Sequence, residues 1–337
     1  MKIKKIILLL ILVSIILIGV TVGIVASKKT QTNNMDKMKV TASNFASYDF
    51  LRAIIGNNDN VELTFLLGPG KDAHSYEPTA QDLITIQNSD LFVYVGGEME
   101  KWADKVLDSL ETGKTEIICI ADFVDTMEEK EVDGAEEHEH EHEDEEHHED
   151  GEEHEEHEHE EGAFDEHIWT SPENAIKMVN ALEKEMEKID SKNSNTYKEN
   201  ANKYIAQIKD VDSKIQDVVD HKVRDRLVFA DKMPMQYFID YYKLQVTAAF
   251  DGCSTETEPS AKTIAYIENK VKEEKIPVIL YIELNTGAVA QTIANETGAK
   301  AMQIQTLHNV SKTDFDNGET WVSLMEKNID VLKKALQ

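Results

Sequence analysis

Histidine and carboxylate side chains carry most of the chemistry this chain can offer, and they fall into two populations. Between Glu128 and Glu161 the chain is built almost wholly of Glu, Asp and His. Eight of its 12 histidines lie there: His138, His140, His142, His147, His148, His154, His157 and His159. Neutral imidazoles interleaved with carboxylates are ligands for borderline cations, Zn²⁺ ahead of Ni²⁺ or Cu²⁺. Such a tract has almost no apolar side chains to offset the entropy of ordering its backbone, so it is expected to stay outside any core. The blander alternative is an acidic solvated linker in which the histidines are incidental.

The second population is dispersed. His74, His167, His221 and His308 lie outside the tract, and three of them follow segments that read as strands. His74 comes after Val61–Leu67 through the turn Gly68-Pro69-Gly70. His167 comes after Glu116–Ile120 and the acidic insertion, and His308 just past Lys300–Gln305. Asp231 follows Leu227–Ala230 directly, and Glu283 follows Val278–Ile282. In open α/β sheets ligands bind beyond the carboxyl ends of the strands, so these positions can converge. Three imidazoles and one carboxylate satisfy a closed tetrahedral Zn²⁺ site. His221 ends a long helical segment and reads as exposed.

The elements that must position these residues alternate. Lys39–Ala42, Val61–Leu67, Leu91–Val95 and Glu116–Ile120 are short β-branched runs bounded by turn residues. Between them, Phe45–Ile55 ends at Gly56, Thr79–Gln87 follows Pro78, and Glu98–Leu110 leads to Gly113, each reading as a helix. The pattern repeats with strands at Leu227–Ala230, Gln245–Ala249, Val278–Ile282 and Lys300–Gln305. The helices of this half fall near Met235–Tyr242, Ser260–Glu274, Thr286–Thr297 and Glu319–Leu336. Strand–helix alternation of this kind implies parallel sheets with helices on both faces. Between the halves lie Pro172–Lys188, opened by Ser171-Pro172, and Asn195–His221, which runs without Gly or Pro for roughly 40 Å if helical. A helix of that length between two α/β lobes reads as a rigid spacer.

Composition restricts the partners. The net charge is −30, and the tract, with 21 Asp and Glu against one Lys, supplies about −20 of it. Nucleic acid phosphates would be repelled, whereas a cation is suited. The N-terminus, Met-Lys-Ile-Lys-Lys, is followed by an apolar run from Ile6 to Ala26, long enough to span a bilayer, with Lys28 and Lys29 behind it. The lysines in front place the N-terminus inside and the remaining chain outside, as an uncleaved anchor or, after cleavage, a secreted protein. No Cys follows the run, so a lipid anchor is not expected. Cys119 and Cys253 are too few and too far apart for a disulfide framework. His138-Glu139-His140-Glu141-His142 fits the H-E-x-x-H pattern of zinc proteases, but no apolar face accompanies it, and the chain does not read as an enzyme.

Two stretches carry a family resemblance. Asp72-Ala73-His74-Ser75-Tyr76-Glu77-Pro78 and Asp165-Glu166-His167-Ile168-Trp169-Thr170-Ser171-Pro172 resemble the two metal-ligand signatures of the zinc/manganese-type solute-binding proteins of ABC importers. The likeness continues through Gly96-Gly97-Glu98-Met99-Glu100-Lys101-Trp102, Tyr197-x-x-Asn200, Glu258-Pro259-Ser260, Glu296-Thr297-Gly298-Ala299 and the closing Trp321–Leu336 segment. It implies two parallel-sheet α/β lobes joined by one long rigid helix, with the metal in the cleft between them and a His-rich loop typical of zinc-selective members.

On that pattern residues 1–37 form an anchor or signal segment with a spacer, and 38–192 a first lobe that includes the loop 128–161. A linking helix occupies 193–221 and a second lobe 222–337. His74 and His167 match the first two ligands. The third place, five residues before Tyr237-Phe238, holds Lys232, which cannot serve as a ligand while protonated and so is expected to matter little. Asp231 looks like its substitute. His308 falls at the fourth place, with Glu283 as the fallback. The implied function is an extracytoplasmic receptor, monomeric, that captures Zn²⁺ as transported cargo and delivers it to a membrane permease. Manganese in place of zinc and a role as a surface adhesin are the alternatives, and three imidazoles favour zinc.

Overall fold

The structure is a computed structural model that describes residues 37–110, 113–135, 164–252, 254 and 258–337. Lys39–Asn58 with Leu63–Gln337 forms one compact unit that holds every described candidate residue; a minor unit includes Asp59–Glu62. The eight tract histidines, Cys253 and the apolar run from Ile6 to Ala26 lie outside the described residues. Among the described residues no helix is long and apolar enough to cross a membrane.

Two four-stranded sheets organise the chain. In the first, strands β1 (Met38–Ala42), β2 (Val61–Phe65), β3 (Leu91–Tyr94) and β4 (Glu116–Cys119) take the order β2-β1-β3-β4. β1 pairs in parallel with β3, and β3 with β4. The second contains β5 (Arg226–Lys232), β6 (Gln245–Phe250), β7 (Val278–Tyr281) and β8 (Lys300–Gln303) in the order β6-β5-β7-β8, all parallel. Parallel strands covered on both faces must be apolar along their length. Val40, Ala42, Leu91, Phe92 and Val93 in one sheet, and Val228, Phe229, Ile279 and Leu280 in the other, are accordingly excluded from solvent.

Local chemistry sets the helix limits. Helix α1 (Phe45–Ile55) starts where the Asn44 side chain accepts the Ser47 N–H, and stops at Gly56, whose φ of +58° suits a residue without Cβ. Thr79 and Asp82 form a reciprocal capping box for α2 (Ala80–Gln87). The segment expected as one helix from Glu98 to Leu110 is instead a 3₁₀ turn, Glu98–Glu100, followed by α3 (Trp102–Leu107). Its start is tied back on itself. The Glu100 carboxylate accepts the Val95 and Gly96 N–H groups, and Glu166 accepts the Met99 N–H at 2.9 Å.

Helix α4 (Pro172–Ile189) opens on Ser171 and Pro172 and leads into α5 (Ser194–Asp220), 27 residues long. α5 buries a stripe, Tyr197, Ala201, Tyr204, Ile208, Val211, Ile215 and Val218, at the spacing of one helical face. That stripe packs on α1, α4 and the final helix, so α5 is a structural spine and not a bare spacer. The second half adds α6 (Gln236–Tyr241), α7 (Ala261–Glu274), α8 (Ala288–Thr297), α9 (Lys312–Asp316) and α10 (Trp321–Leu336). α10 returns to the first half. Its Trp321 N–H donates to the buried Asp49 carboxylate of α1 at 2.7 Å, and Arg52 and the Tyr204 hydroxyl meet the same group. The Trp321 indole donates to the Trp169 carbonyl.

The acidic tract is not uniform. Its first eight residues form a strap against the second sheet. Glu128 bridges Phe164, and the Gln236 side chain holds both the Glu128 carbonyl and the Lys130 N–H. Val132 N–H donates to Asp251, and Asp133 bridges Thr247 on β6 while its carboxylate meets Arg226, Lys270, the Thr247 hydroxyl and the Tyr266 hydroxyl. Composition marks the whole run as polar; these tertiary partners decide that 128–135 is held.

Candidate metal centre

His74 stands in the loop that leaves β2 through Gly68 and Gly70, both at positive φ. That loop is fastened to the second half of the chain. Gly70 N–H donates to the Val310 carbonyl at 2.8 Å, and Ala73 N–H to the Asn309 side chain at 3.1 Å. Asp72 Oδ1 accepts the His74 N–H at 2.9 Å. The His74 ring is half-buried and borders a cleft of about 710 Å³ whose walls include Tyr76, Leu83 and Trp102.

His167 is fully buried and precedes the 3₁₀ turn Ile168–Thr170. Asp165 Oδ1 accepts its backbone N–H at 2.8 Å and lies 3.1 Å from its Nδ1. The Asp165 carbonyl is in turn held by the Tyr237 hydroxyl at 2.8 Å. With the Nδ1 proton directed at Asp165, His167 Nε2 carries the lone pair and faces His308 Nδ1 at 2.9 Å. Burial opposes charge on His167, but the Asp165 and Glu166 carboxylates outweigh it and raise its pKa.

His308 follows β8 on a loop that Glu283 organises. The Glu283 carboxylate accepts the Thr306 N–H at 2.9 Å, the Thr306 hydroxyl at 2.8 Å and the Asn309 N–H at 3.1 Å. Thr306 Oγ1 accepts the His308 N–H at 3.3 Å, and Leu307 between them takes a positive φ. Burial pushes the His308 pKa down to about 4, with the His167 and Lys232 charges adding to it and Asp72 opposing. Burial, reinforced by His308, His167 and Lys232, pushes His74 down to about 2. Both rings are therefore neutral at pH 7, the form that binds a metal.

These three imidazoles come together. Their ligand nitrogens lie within 4.8 Å of one another, with the His74 and His308 rings stacked 4.7 Å apart. His74 Nε2 and His308 Nε2 are buried without a hydrogen bond, although His308 Nε2 lies 3.7 Å from Asp72 Oδ1. Buried polar atoms are normally satisfied, so two buried imidazole nitrogens without a hydrogen bond, in a group of three histidines, fit the chemistry of a cation ligand set. His221 is exposed at the end of α5 and takes no part.

The structure does not bring Asp231 or Glu283 into the imidazole group. Glu283 has both oxygens engaged by the 306–309 loop, so it holds His308 in place. Asp231 is buried near the end of β5, at a register irregularity between Phe229 and Lys232. Its Oδ1 accepts the Lys232 N–H at 2.9 Å, while its Oδ2 is buried without a hydrogen bond. Burial raises its pKa against the nearby Lys232 and Ile282 amides, the Lys232 charge and Asn285. The turn after β5 abuts the site: a Cβ on Gly252 would stand 3.1 Å from the Met233 carbonyl and 3.5 Å from His167 Cε1.

Sequence reasoning passed over Asp72, Asp165, Thr306 and Asn309. A signal was present for three of them: each places an oxygen two residues ahead of a histidine and accepts that histidine's N–H. Lys232, expected to be peripheral, is buried and bonded to Asp72 at 3.3 Å.

The arrangement has known relatives. The family model of ZnuA, zinc-uptake complex component A, periplasmic, matches residues 40–335. The chain belongs to this family. The high-affinity zinc uptake system protein ZnuA of Bacillus subtilis is 33% identical over 312 residues, which cover 92% of this chain and 91% of that one. The zinc-binding lipoprotein AdcA of Streptococcus pneumoniae is 31% identical over 300 residues, 89% of this chain but 56% of AdcA. The chain thus spans little more than half of that relative. The crystal structure of the Zn(II)-bound ZnuA-like domain of Streptococcus pneumoniae AdcA shares the fold with a TM-score of 0.70 at 27% identity, over 89% of this chain and 99% of that domain. These relatives are named as zinc-uptake and zinc-binding proteins, not as enzymes.

Proposed function

We infer that the chain is an extracytoplasmic receptor that captures Zn²⁺ between its two sheets and delivers it to an ABC-type membrane importer. The convergence of His74, His167 and His308, with two Nε2 atoms left without hydrogen bonds, carries this reading. It is supported by the zinc-binding relatives. The ion takes the lone pairs of the three imidazoles, which requires His167 Nε2 to exchange its contact with His308 for the metal. Asp231, outside the imidazole group in this structure, moves toward the ion to supply the fourth position. Its Oδ2 is the one buried carboxylate oxygen among the described residues without a hydrogen bond. Three nitrogens and one oxygen suit zinc over manganese, which prefers oxygen-rich octahedral sites. The segment from Ile6 to Ala26 tethers the receptor to the membrane, and the receptor acts as a monomer. The eight tract histidines bind further zinc weakly and raise its concentration near the tight site.

Metal analysis of the purified chain after competition among Zn²⁺, Mn²⁺ and Ni²⁺ tests the reading, with and without residues 136–163. One tightly held zinc should remain when the tract is absent, and cells lacking the gene should need added zinc to grow. Retention of manganese in preference to zinc would transfer the function to the other metal. Absence of any tight site without the tract would end the proposal.

A further inference from the structure

Lys232 brings a fixed positive charge to a site built for a cation. Its side chain is 6% exposed, and its Nζ has one partner among the described residues, Asp72 Oδ2, at 3.3 Å. Asp72 belongs to the His74 loop, and its other oxygen accepts the His74 N–H and faces His308 Nε2 at 3.7 Å. The ammonium is therefore linked through a single carboxylate to the backbone of the His74 loop and to the face of the His308 imidazole. A buried ammonium is costly to desolvate, and a neutral side chain would fill the same space without that cost. Like charges in a weakly screened interior repel, and a bound dication would feel this one.

We propose that Lys232 is a resident counter-charge that loosens the hold on Zn²⁺, with Asp72 as the carboxylate that keeps the repulsion within bounds. The inference rests on the zinc-receptor reading. A receptor that must surrender its cargo gains from a site whose affinity is limited from within, because the rate of release sets how fast it can be reused. Removing the ammonium while keeping its bulk should tighten the site and slow release. Removing only the Asp72 charge should leave the ammonium unopposed and weaken the site. Removing both should bring affinity back.

The test uses the full chain, titrated with zinc against a chromophoric chelator, with dissociation followed by stopped flow and folding checked by melting curves in excess chelator. Lys232→Met should bind zinc roughly tenfold or more tighter than the natural chain, with slower dissociation. Asp72→Asn should bind roughly tenfold or more weaker, and the double variant should return close to the starting affinity. Lys232→Gln gives the same sign should Lys232→Met fail to fold. Unchanged or weaker binding in the Lys232 variants overturns the inference. So does a double variant as weak as Asp72→Asn alone, since Asp72 would then merely position His74. A natural chain with no tight zinc at all would instead defeat the receptor reading, and the two failures are told apart by that arm.

Discussion

Asp165 does two things for His167, fixing its backbone through the N–H and its ring through Nδ1. Partners of this kind orient a metal-binding imidazole and set its tautomer, and their removal typically weakens metal binding 10–100-fold. Asp165→Ala is expected to lower zinc affinity by about that factor while leaving the fold intact, because α4 and its caps do not depend on the carboxylate. Asp231→Ala removes an atom proposed to touch the ion and should cost more than about a hundredfold. Competitive chelator titration of the two variants side by side measures the difference. If Asp231→Ala binds as tightly as the natural chain, a water completes the three-imidazole site. At this scale strand ends flag His74, His167 and His308 in the sequence, the three imidazoles that the structure brings together. The sequence placed Asp231 ahead of Glu283 only through the family resemblance. Both follow a strand directly, and what distinguishes them is a loop 23 residues beyond Glu283 that occupies its oxygens.

Elements punctuated by local chemistry were legible to the residue. α1 runs from Phe45 to Ile55 as its turn residues imply, because Asn44 and Gly56 act on the backbone beside them. Elements decided by distant partners were not. The strap Glu128–Ala135 looks like the rest of an acidic run, and only Thr247, Arg226, Lys270 and Tyr266 from the second half make Asp133 a structural residue. A deletion experiment separates the two parts. Removing 136–163 should leave the melting temperature of the chain in chelator nearly unchanged, since so few apolar side chains can contribute to a core there and the cost of closing a chain segment depends only weakly on its length. Extending the deletion back to Glu128 strips partners from several buried or half-buried polar groups at about 1–3 kcal/mol each, and the melting temperature should fall by several degrees. Equal melting temperatures for the two deletions would show that the strap contributes nothing to stability.

For the molecule as a whole, zinc is expected to act as a stabiliser. A ligand held only by the folded state adds RT ln(1 + [L]/Kd), about 4 kcal/mol at a thousandfold excess over Kd. Calorimetry of the chain lacking 136–163 should show a melting temperature that rises with zinc and falls back with chelator. A melting temperature indifferent to both would contradict a site formed by the folded state.

Two bodies joined by a single rod can swing and twist in any direction about it. The ties across this chain leave less freedom than that. α5 is one attachment and the strap, with Ala248 N–H on the Asp133 carbonyl at 3.1 Å, is a second. α10, through Trp321 on Asp49 and Trp169, is a third, and the Gly70 and Ala73 amides on Val310 and Asn309 fasten the rim beside the site. Amide exchange offers a reading of these ties one by one: the Ala248 and Val132 N–H groups report the strap, and the Gly70 and Ala73 N–H groups, on the His74 loop, should exchange more slowly when zinc is bound.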